Sequence, residues 1–237
     1  MPKLELSNLL NTIALSILLF FASACENISF QNGIDEGKIE YEISYPEIYP
    51  DNFMLELLPK TMETTFVENN YRSDIIAGMG IFKTSIIFNH ENDKIVHSIK
   101  MLKTKYASEL TDADFASFNP KFNSIEVNLT DETKEIAGYL CNSANVVVQG
   151  DSVWNFKVYY TNDIKIEESN LHTPFRQIKG VLMEYQLLSN NILMNFSATK
   201  VIDEKVDKSA IELEEGYEMV EPAKLKAEIK KLFANIM

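Results

Sequence analysis

Cysteine and histidine, which often act as nucleophiles, bases or metal ligands, are few in this chain and lie far apart. Its 237 residues include two cysteines, Cys25 and Cys141, and three histidines, His90, His97 and His172. Two cysteines cannot form a disulfide framework, and no two of the histidines have the spacing of metal ligands. The sequence contains no Gly-x-Ser-x-Gly, phosphate-loop or zinc-protease motif. We therefore expect no metal, no cofactor and no catalytic residue, and we predict that the protein is not an enzyme.

The surroundings of Cys25 predict a covalent modification. Lys3 precedes an apolar stretch over residues 13–22, and the small residues Ser23 and Ala24 stand just before the cysteine. The stretch is shorter than the about 20 apolar residues that a membrane-spanning helix needs. The pattern resembles the bacterial lipobox, in which the cysteine sulfur takes a lipid and the signal peptide is cleaved before it. An ordinary cleaved signal peptide with a cysteine nearby is the alternative.

Cleavage before Cys25 would divide the chain into three parts. Residues 1–24 are the predicted signal peptide, residues 25–36 are a predicted tether without a hydrophobic pattern, and residues 37–237 are a predicted single β-rich domain. Two or three acyl chains hold a protein stably at a membrane, because each buried methylene adds about 0.8 kcal/mol. We expect an outer-membrane lipoprotein of the cell envelope, whose body faces either the periplasm or the exterior.

The charge distribution argues against nucleic acid as a partner. The chain has 22 Lys and Arg against 35 Asp and Glu, and its net charge of −13 would repel a phosphate backbone. The charge is uneven along the chain. Residues 203–221, here called the acidic segment, carry eight acidic residues and two lysines, whereas residues 222–237 carry four lysines and one glutamate.

Alternation of apolar and polar residues predicts strands through most of the body. The first lies between Gly37 and Pro46, and later groups begin at Ile95, Ile125 and Trp154 and after the Asn190-Asn191 turn. The residues that share one side of each predicted strand are Ile39, Tyr41, Ile43 and Tyr45; Ile95, His97, Ile99 and Met101; Ile125, Val127 and Leu129; Trp154, Phe156, Val158 and Tyr160; and Ile192, Met194, Phe196 and Ala198. Many short strands joined by polar turns predict a largely antiparallel sheet.

Two segments depart from this alternation and predict helices. Asp112 to Phe118 is a short helical connection that ends before Pro120. Pro222 begins a C-terminal amphipathic helix over residues 222–237, whose apolar stripe consists of Leu225, Ile229, Leu232, Phe233 and Ile236. We predict that this stripe packs on the sheet. The alternative is that the basic helix lies on the membrane surface.

A few remaining positions could carry a modification or a reaction. Cys141 lies among apolar residues, which predicts a buried side chain rather than a reactive thiol. Ser152 stands in Asp-Ser-Val within a predicted exposed turn, and this tripeptide resembles the O-glycosylation site of some Bacteroidota. Glu40 and Glu42 share a strand face, and we expect them to be solvated rather than to form an acid–base pair.

Several motifs carry a resemblance to a known family. They are residues 58–62 (LPKTM), 78–80 (GMG), 134–141 (KEIAGYLC), 159–164 (YYTNDI) and 180–185 (GVLMEY). Their order and spacing resemble a family of Bacteroidota lipoproteins with a domain of unknown function, related to the GLPGLI proteins, over most of residues 37–220. Where GLPGLI proteins have Gly-Leu-Pro-Gly, this chain has Gln-Ile-Lys-Gly at residues 177–180.

The resemblance implies a fold similar to the lipoprotein-localisation carriers LolA and LolB, which is a strongly curved, incomplete antiparallel barrel with helices over its open side. It implies no established activity and no catalytic residue. A half-barrel with an apolar concave face could hold a hydrophobic ligand or an acyl chain. The alternative is an interaction or scaffold module with a filled core and an outer surface that docks an envelope protein. The residues that would bind a ligand are unknown at this stage.

Overall fold

A computed structural model describes residues 33–49, 51, 53–118, 120–149, 154–189 and 191–234. The predicted signal peptide over residues 1–24, the predicted lipid attachment at Cys25 and the predicted glycosylation at Ser152 lie outside the described residues. From Gly33 onward the chain forms one compact unit. Among the described residues, no helix has the length and apolar character that crossing a membrane requires.

The alternating segments form strands that join one twelve-stranded sheet in the described part of the chain. The strands are β1 (Glu36–Ser44), β2 (Thr61–Val67), β3 (Asn70–Ala77), β4 (Phe82–Asn89), β5 (Lys94–Met101), β6 (Thr104–Leu110), β7 (Ile125–Ile136), β8 (Tyr139–Val148), β9 (Trp154–Thr161), β10 (Val181–Ser189), β11 (Ile192–Ile202) and β12 (Glu218–Met219). Their order is β12-β6-β5-β4-β3-β2-β1-β11-β10-β9-β8-β7. Neighbouring strands are antiparallel except for the short parallel pair of β12 with β6.

The sheet is curved but does not close. Strands β7 and β12 form its two edges and are not paired with each other, so the predicted mainly β, incomplete antiparallel barrel is confirmed. Strand β1 pairs with β2 on one side and with β11 on the other. This central strand joins the run from β2 to β6 to the run from β7 to β11.

Two hairpins illustrate how local sequence sets the strand pairing. Glu68 and Asn69 connect β2 to β3 with φ angles of 48° and 67°, and Ala137 and Gly138 connect β7 to β8 with φ angles of 51° and 83°. Two successive residues with positive φ match the right-handed twist of the flanking strands. Gly138 adopts this conformation without the steric cost that a Cβ atom brings.

Cross-strand register defines two faces of the sheet. The inner face carries, in register from β2 to β5, Thr64, Ser73, Ile86 and His97. The outer face carries the adjacent row, Thr65, Arg72, Ile87 and Val96. Successive side chains of a strand point to opposite faces, so each face presents every second residue to whatever covers it.

Helix α1 (Asp112–Phe118) confirms the short predicted helix. Its start is a capping box, because the N–H of Asp114 donates to Thr111 Oγ1 (3.2 Å) and the N–H of Thr111 donates to Asp114 Oδ2 (3.0 Å). None of its side chains is buried. The ring of Phe118 lies 5.3 Å from that of His97, which places the helix over the inner face.

Helix α2 (Pro222–Ala234) packs against β5 and β6, as the apolar stripe predicted. Leu225 is fully buried. The basic face also contacts protein, since Lys224 Nζ lies 4.4 Å from the ring centre of Tyr106 and Lys226 Nζ donates to the carbonyl oxygen of Ser117 (2.5 Å). The prediction that this helix docks on the sheet is therefore confirmed, with Leu225 as the buried residue of the stripe, and residues 235–237 lie outside the described residues.

The acidic segment runs along the outer face of β3 to β6. Its Leu213 and Tyr217 pack against a small cluster of outer-face residues that consists of Ile87, Val96 and Ala107. Arg72 is buried beneath it and donates from Nη1 to the carbonyl oxygen of Glu212 (2.7 Å) and from Nη2 to Glu214 Oε1 (3.0 Å). Local negative charge thus pairs with a cation of the sheet.

Two sequence-based boundaries are corrected by the structure. The strand that was predicted from Ile125, Val127 and Leu129 extends to Ile136, and Leu129 is 67% exposed because β7 is an edge strand. The last residues of the predicted tether over residues 25–36 belong to the fold. Ile34 is buried and its N–H donates to the carbonyl oxygen of Asp163 (2.9 Å), so the body begins at Gly33 rather than at Gly37.

Candidate functional site

A cavity of about 210 Å³ lies between the inner face and residues 162–180, here called the covering segment, which connect β9 to β10. We call it the inner cavity. Strands β1 to β5, β10 and β11 provide one wall, and the covering segment together with helix α1 provides the other. Its apolar lining includes Met62, Ile75, Ile86, Phe115, Leu187 and Phe196.

Part of this lining consists of aromatic rings that pack against one another. The rings of Tyr185 and Phe196 stack with centroids 4.8 Å apart, and Tyr185 also contacts the edges of Tyr41 (6.3 Å) and Phe175 (6.0 Å). Such pairs are rigid and add about 0.5–1.5 kcal/mol beyond simple burial. Burial raises the pKa of Tyr41 and of Tyr185 well above the ordinary tyrosine value, so both phenols stay uncharged.

The polar groups of the inner face bond to one another. Thr64 Oγ1 lies 2.8 Å from Ser73 Oγ, and the hydroxyl of Tyr41 donates to the carbonyl oxygen of Leu182 (2.9 Å). Thr84 Oγ1 lies 2.9 Å from His97 Nε2, and burial lowers the pKa of His97 to about 4. His97 is therefore neutral near pH 7 and adds no charge beside the cavity.

The described lining of the inner cavity contains no Asp, Glu, Lys or Arg. Buried polar side chains that already have partners offer little to a charged ligand, whereas an apolar wall favours an apolar one. The space is consequently suited to a hydrocarbon group.

The covering segment holds its own shape through buried hydrogen bonds. The amide of Asn170 donates to the carbonyl oxygens of Ile178 (3.0 Å) and Gly180 (2.7 Å). Phe175 is buried and packs its ring against Phe122 and Phe156. The segment is thus an ordered lid over the cavity, although it contains no helix or strand.

His172 fastens the covering segment to two other parts of the fold. Its Nδ1 lies 2.5 Å from Asp112 Oδ1 at the start of α1, and its Nε2 lies 3.0 Å from Asp93 Oδ1 in the turn between β4 and β5. The side chain is 7% exposed, and its ring lies 5.1 Å from that of Phe88. Sequence reasoning assigned no role to His172, and no local motif indicates these partners, which are 60 and 79 residues away.

A second cavity of about 300 Å³ adjoins the inner cavity. Four residues line both spaces and form the wall between them, namely Phe115, His172, Thr173 and Pro174. The second cavity is also lined by charged and amide side chains, including Asp112, Arg176 and Gln177. A mainly apolar compartment therefore lies directly beside a polar one.

The other residues singled out in the sequence do not contribute to this site. Cys141 is buried as predicted, and burial raises the pKa of its thiol to about 11. His90 stands in the turn after β4, and Glu42 is exposed beside the half-buried Glu40. Across the described ranges, no group of three or more His, Cys, Asp or Glu side chains is placed to hold a metal ion.

Comparison with models of protein families finds none that matches this chain, and comparison with curated proteins also finds no match. The relation to Bacteroidota lipoproteins therefore stays a prediction from the motifs.

Proposed function

We propose that this protein is a lipid-anchored protein of the bacterial cell envelope that binds a small hydrophobic ligand or a single acyl chain in the inner cavity. The observation that carries the proposal is a space of about 210 Å³ beneath the covering segment, whose described lining is mainly apolar and contains no Asp, Glu, Lys or Arg. Concave spaces with a mainly apolar lining favour apolar molecules.

The size of the inner cavity limits what it can hold. An apolar cavity of about 150 Å³ is large enough to bind benzene, whereas sites for larger ligands span about 300–1,000 Å³. At about 210 Å³ the inner cavity fits one small apolar molecule or part of one chain. A diacyl lipid would require the covering segment to open.

The proposed anchor is the lipid on Cys25, and its support comes from the sequence. A signal-peptide pattern ends in small residues directly before Cys25. The body of the protein carries most of the net charge of −13 and gains nothing from an anionic membrane surface. Covalent lipid would therefore be the main source of membrane attachment.

The cavity assignment is tested by filling the space. Ile75 lines the inner cavity, and its neighbour Ile76 points to the outer face, where it is 47% exposed. We expect the variant Ile75→Phe to lose bound hydrophobic ligand and Ile76→Phe to retain it. The measurement is native mass spectrometry of each protein extracted from its own membrane. Equal ligand content in the two variants would contradict the proposal.

The anchor is tested separately by metabolic labelling with a clickable fatty acid. We expect label on the natural protein and none on Cys25→Ala, while Cys141→Ala keeps the label. A Cys25→Ala protein that still carries label would rule out lipidation at this cysteine.

A second candidate function is a scaffold without ligand. It is favoured by the extent to which the fold fills its own interior, since the covering segment, α1 and α2 all pack on the inner face. In this case the native mass spectrum shows no ligand and one envelope protein at fixed stoichiometry.

A further inference from the structure

The two adjoining cavities have complementary chemistry. The inner cavity is apolar, and the second cavity places Arg176 and Gln177 on the far side of the shared wall. A molecule with a hydrocarbon chain and a polar head would find a compartment for each end. This arrangement extends the proposed function, because it specifies the head group of the ligand.

Arg176 is the cation that could receive such a head group. The chain has two arginines, and Arg72 is buried with carboxylate and carbonyl partners on the outer face. The exposed side chain of Arg176, by contrast, makes no hydrogen bond or ion pair with any residue that the structure describes. The nearby carboxylate of Asp112 is already bonded to His172 Nδ1.

The chemistry of guanidinium selects the type of head group. Its planar N–H donors match the two oxygens of a carboxylate, and the pair is stronger than a hydrogen bond between neutral groups. The amide of Gln177 offers further donors beside it. A neutral head, such as an alcohol, would lack the charge attraction.

The wall between the cavities has to open before one chain can occupy both. Phe115 belongs to helix α1, which has seven residues and no buried side chain. Short elements with little burial open at low free-energy cost. A chain passes from the second cavity to the inner cavity only when α1 shifts, which breaks the contact between Asp112 and His172 but leaves the sheet folded.

We propose that the two cavities form one binding site for a single-chain carboxylate, with the hydrocarbon chain in the inner cavity and the carboxylate at Arg176. The proposal rests on the proposed function. Scaling from benzene, whose six carbons occupy a cavity of about 150 Å³, the inner cavity holds a chain of about eight carbons.

The test compares octanoate with 1-octanol, which has the same chain length and a neutral head. The protein is placed in lipid nanodiscs, and empty nanodiscs correct for partitioning of both compounds into lipid. We expect octanoate to bind about fivefold more tightly than 1-octanol, because an exposed ion pair contributes up to about 1 kcal/mol. We expect Arg176→Gln to remove this preference and to leave the affinity for 1-octanol unchanged.

Lys179→Gln is the matched control, because Lys179 is an exposed cation of the same covering segment that lines neither cavity. It should keep the preference for octanoate. The carbon-13 signal of octanoate labelled at its carboxyl carbon should differ between the complex with the natural protein and the complex with Arg176→Gln. Equal affinity of the natural protein for octanoate and 1-octanol would overturn the assignment of a carboxylate head group to Arg176. It would not contradict the proposed function. Binding of neither compound to the natural protein would contradict both the head-group assignment and the proposed function.

Discussion

The imidazole of His172 and the carboxylate of Asp112 are joined by a contact of 2.5 Å between Nδ1 and Oδ1. This contact links the covering segment to the first turn of α1, and the second nitrogen of His172 links both to the turn that carries Asp93. One side chain therefore holds together the covering segment, α1 and the turn between β4 and β5.

Replacement of His172 should loosen the covering segment without unfolding the sheet. We expect His172→Ala to lower the free energy of unfolding by about 1 kcal/mol, since both carboxylates are largely exposed. Amide hydrogen exchange should rise in residues 162–180 and stay unchanged in β8. His90→Ala is the control, because His90 lies in a turn outside this contact. Unchanged exchange in residues 162–180 would show that His172 does not fasten the segment.

Burial of His97 predicts a specific dependence of stability on pH. The folded-state pKa is about 4 and the ordinary value is 6.5, so between these values the unfolded state binds more protons than the folded state. Stability should therefore fall as the pH decreases from about 6.5 to about 4, at most by about 1.4 kcal/mol per pH unit. Urea titrations at several pH values measure this slope. His97→Gln should reduce it and His90→Gln should not.

Arg72 should be the main attachment of the acidic segment to the outer face. Its Nε donates to Asp74 Oδ1 (2.9 Å), and its other nitrogens reach Glu212 and Glu214. We expect Arg72→Met to lower the free energy of unfolding by about 2–3 kcal/mol, because the half-buried carboxylate of Asp74 loses one of its cationic partners. Limited proteolysis should then cut within residues 203–221.

A charge-retaining variant separates these contributions of Arg72. Arg72→Lys keeps the positive charge but cannot reproduce the planar set of donors, so we expect an intermediate loss of stability. If Arg72→Met is as stable and as protease-resistant as the natural protein, the ion pairs do not hold the acidic segment.

Cys141 should react slowly with thiol reagents in the folded protein. It is fully buried and its pKa is raised to about 11, so both access and thiolate content are low. We expect modification only at the rate at which the protein unfolds. The matched control is Leu140→Cys in a Cys141→Ala background, because Leu140 is 64% exposed on the same strand. Modification of Cys141 as fast as that of the control would contradict its burial.

Local patterns predicted the elements well, because secondary structure depends on neighbouring residues. Alternation over Gly37 to Pro46 predicted β1, and the interval from Asp112 to Pro120 predicted α1. The pattern was less reliable at the edge of the sheet. The alternation at Ile125 to Leu129 predicted only the start of β7, since the charged residues that follow remain in a strand whose faces are not both buried.

Contacts between distant segments could not be predicted in the same way. His172 meets Asp112 across 60 residues, and Arg72 meets Glu214 across 142 residues. Neither pair forms a motif, because each contact depends on which strands are neighbours and on how the connecting segments cross the sheet. The covering segment likewise has no periodic pattern, and its position over the cavity follows from the packing of Phe175 and Asn170.

The sequence by itself determined that the body is a sheet of short antiparallel strands with a docked C-terminal helix, because apolar periodicity reports which side of an element must be buried. Lipid attachment at Cys25 is also a prediction from the sequence alone, since that motif is recognised along an extended chain. Only the tertiary structure decided that the inner face and the covering segment border a mainly apolar space. A cavity is the difference between the volume that a curved sheet encloses and the volume that its side chains fill, and this difference is set by the whole fold.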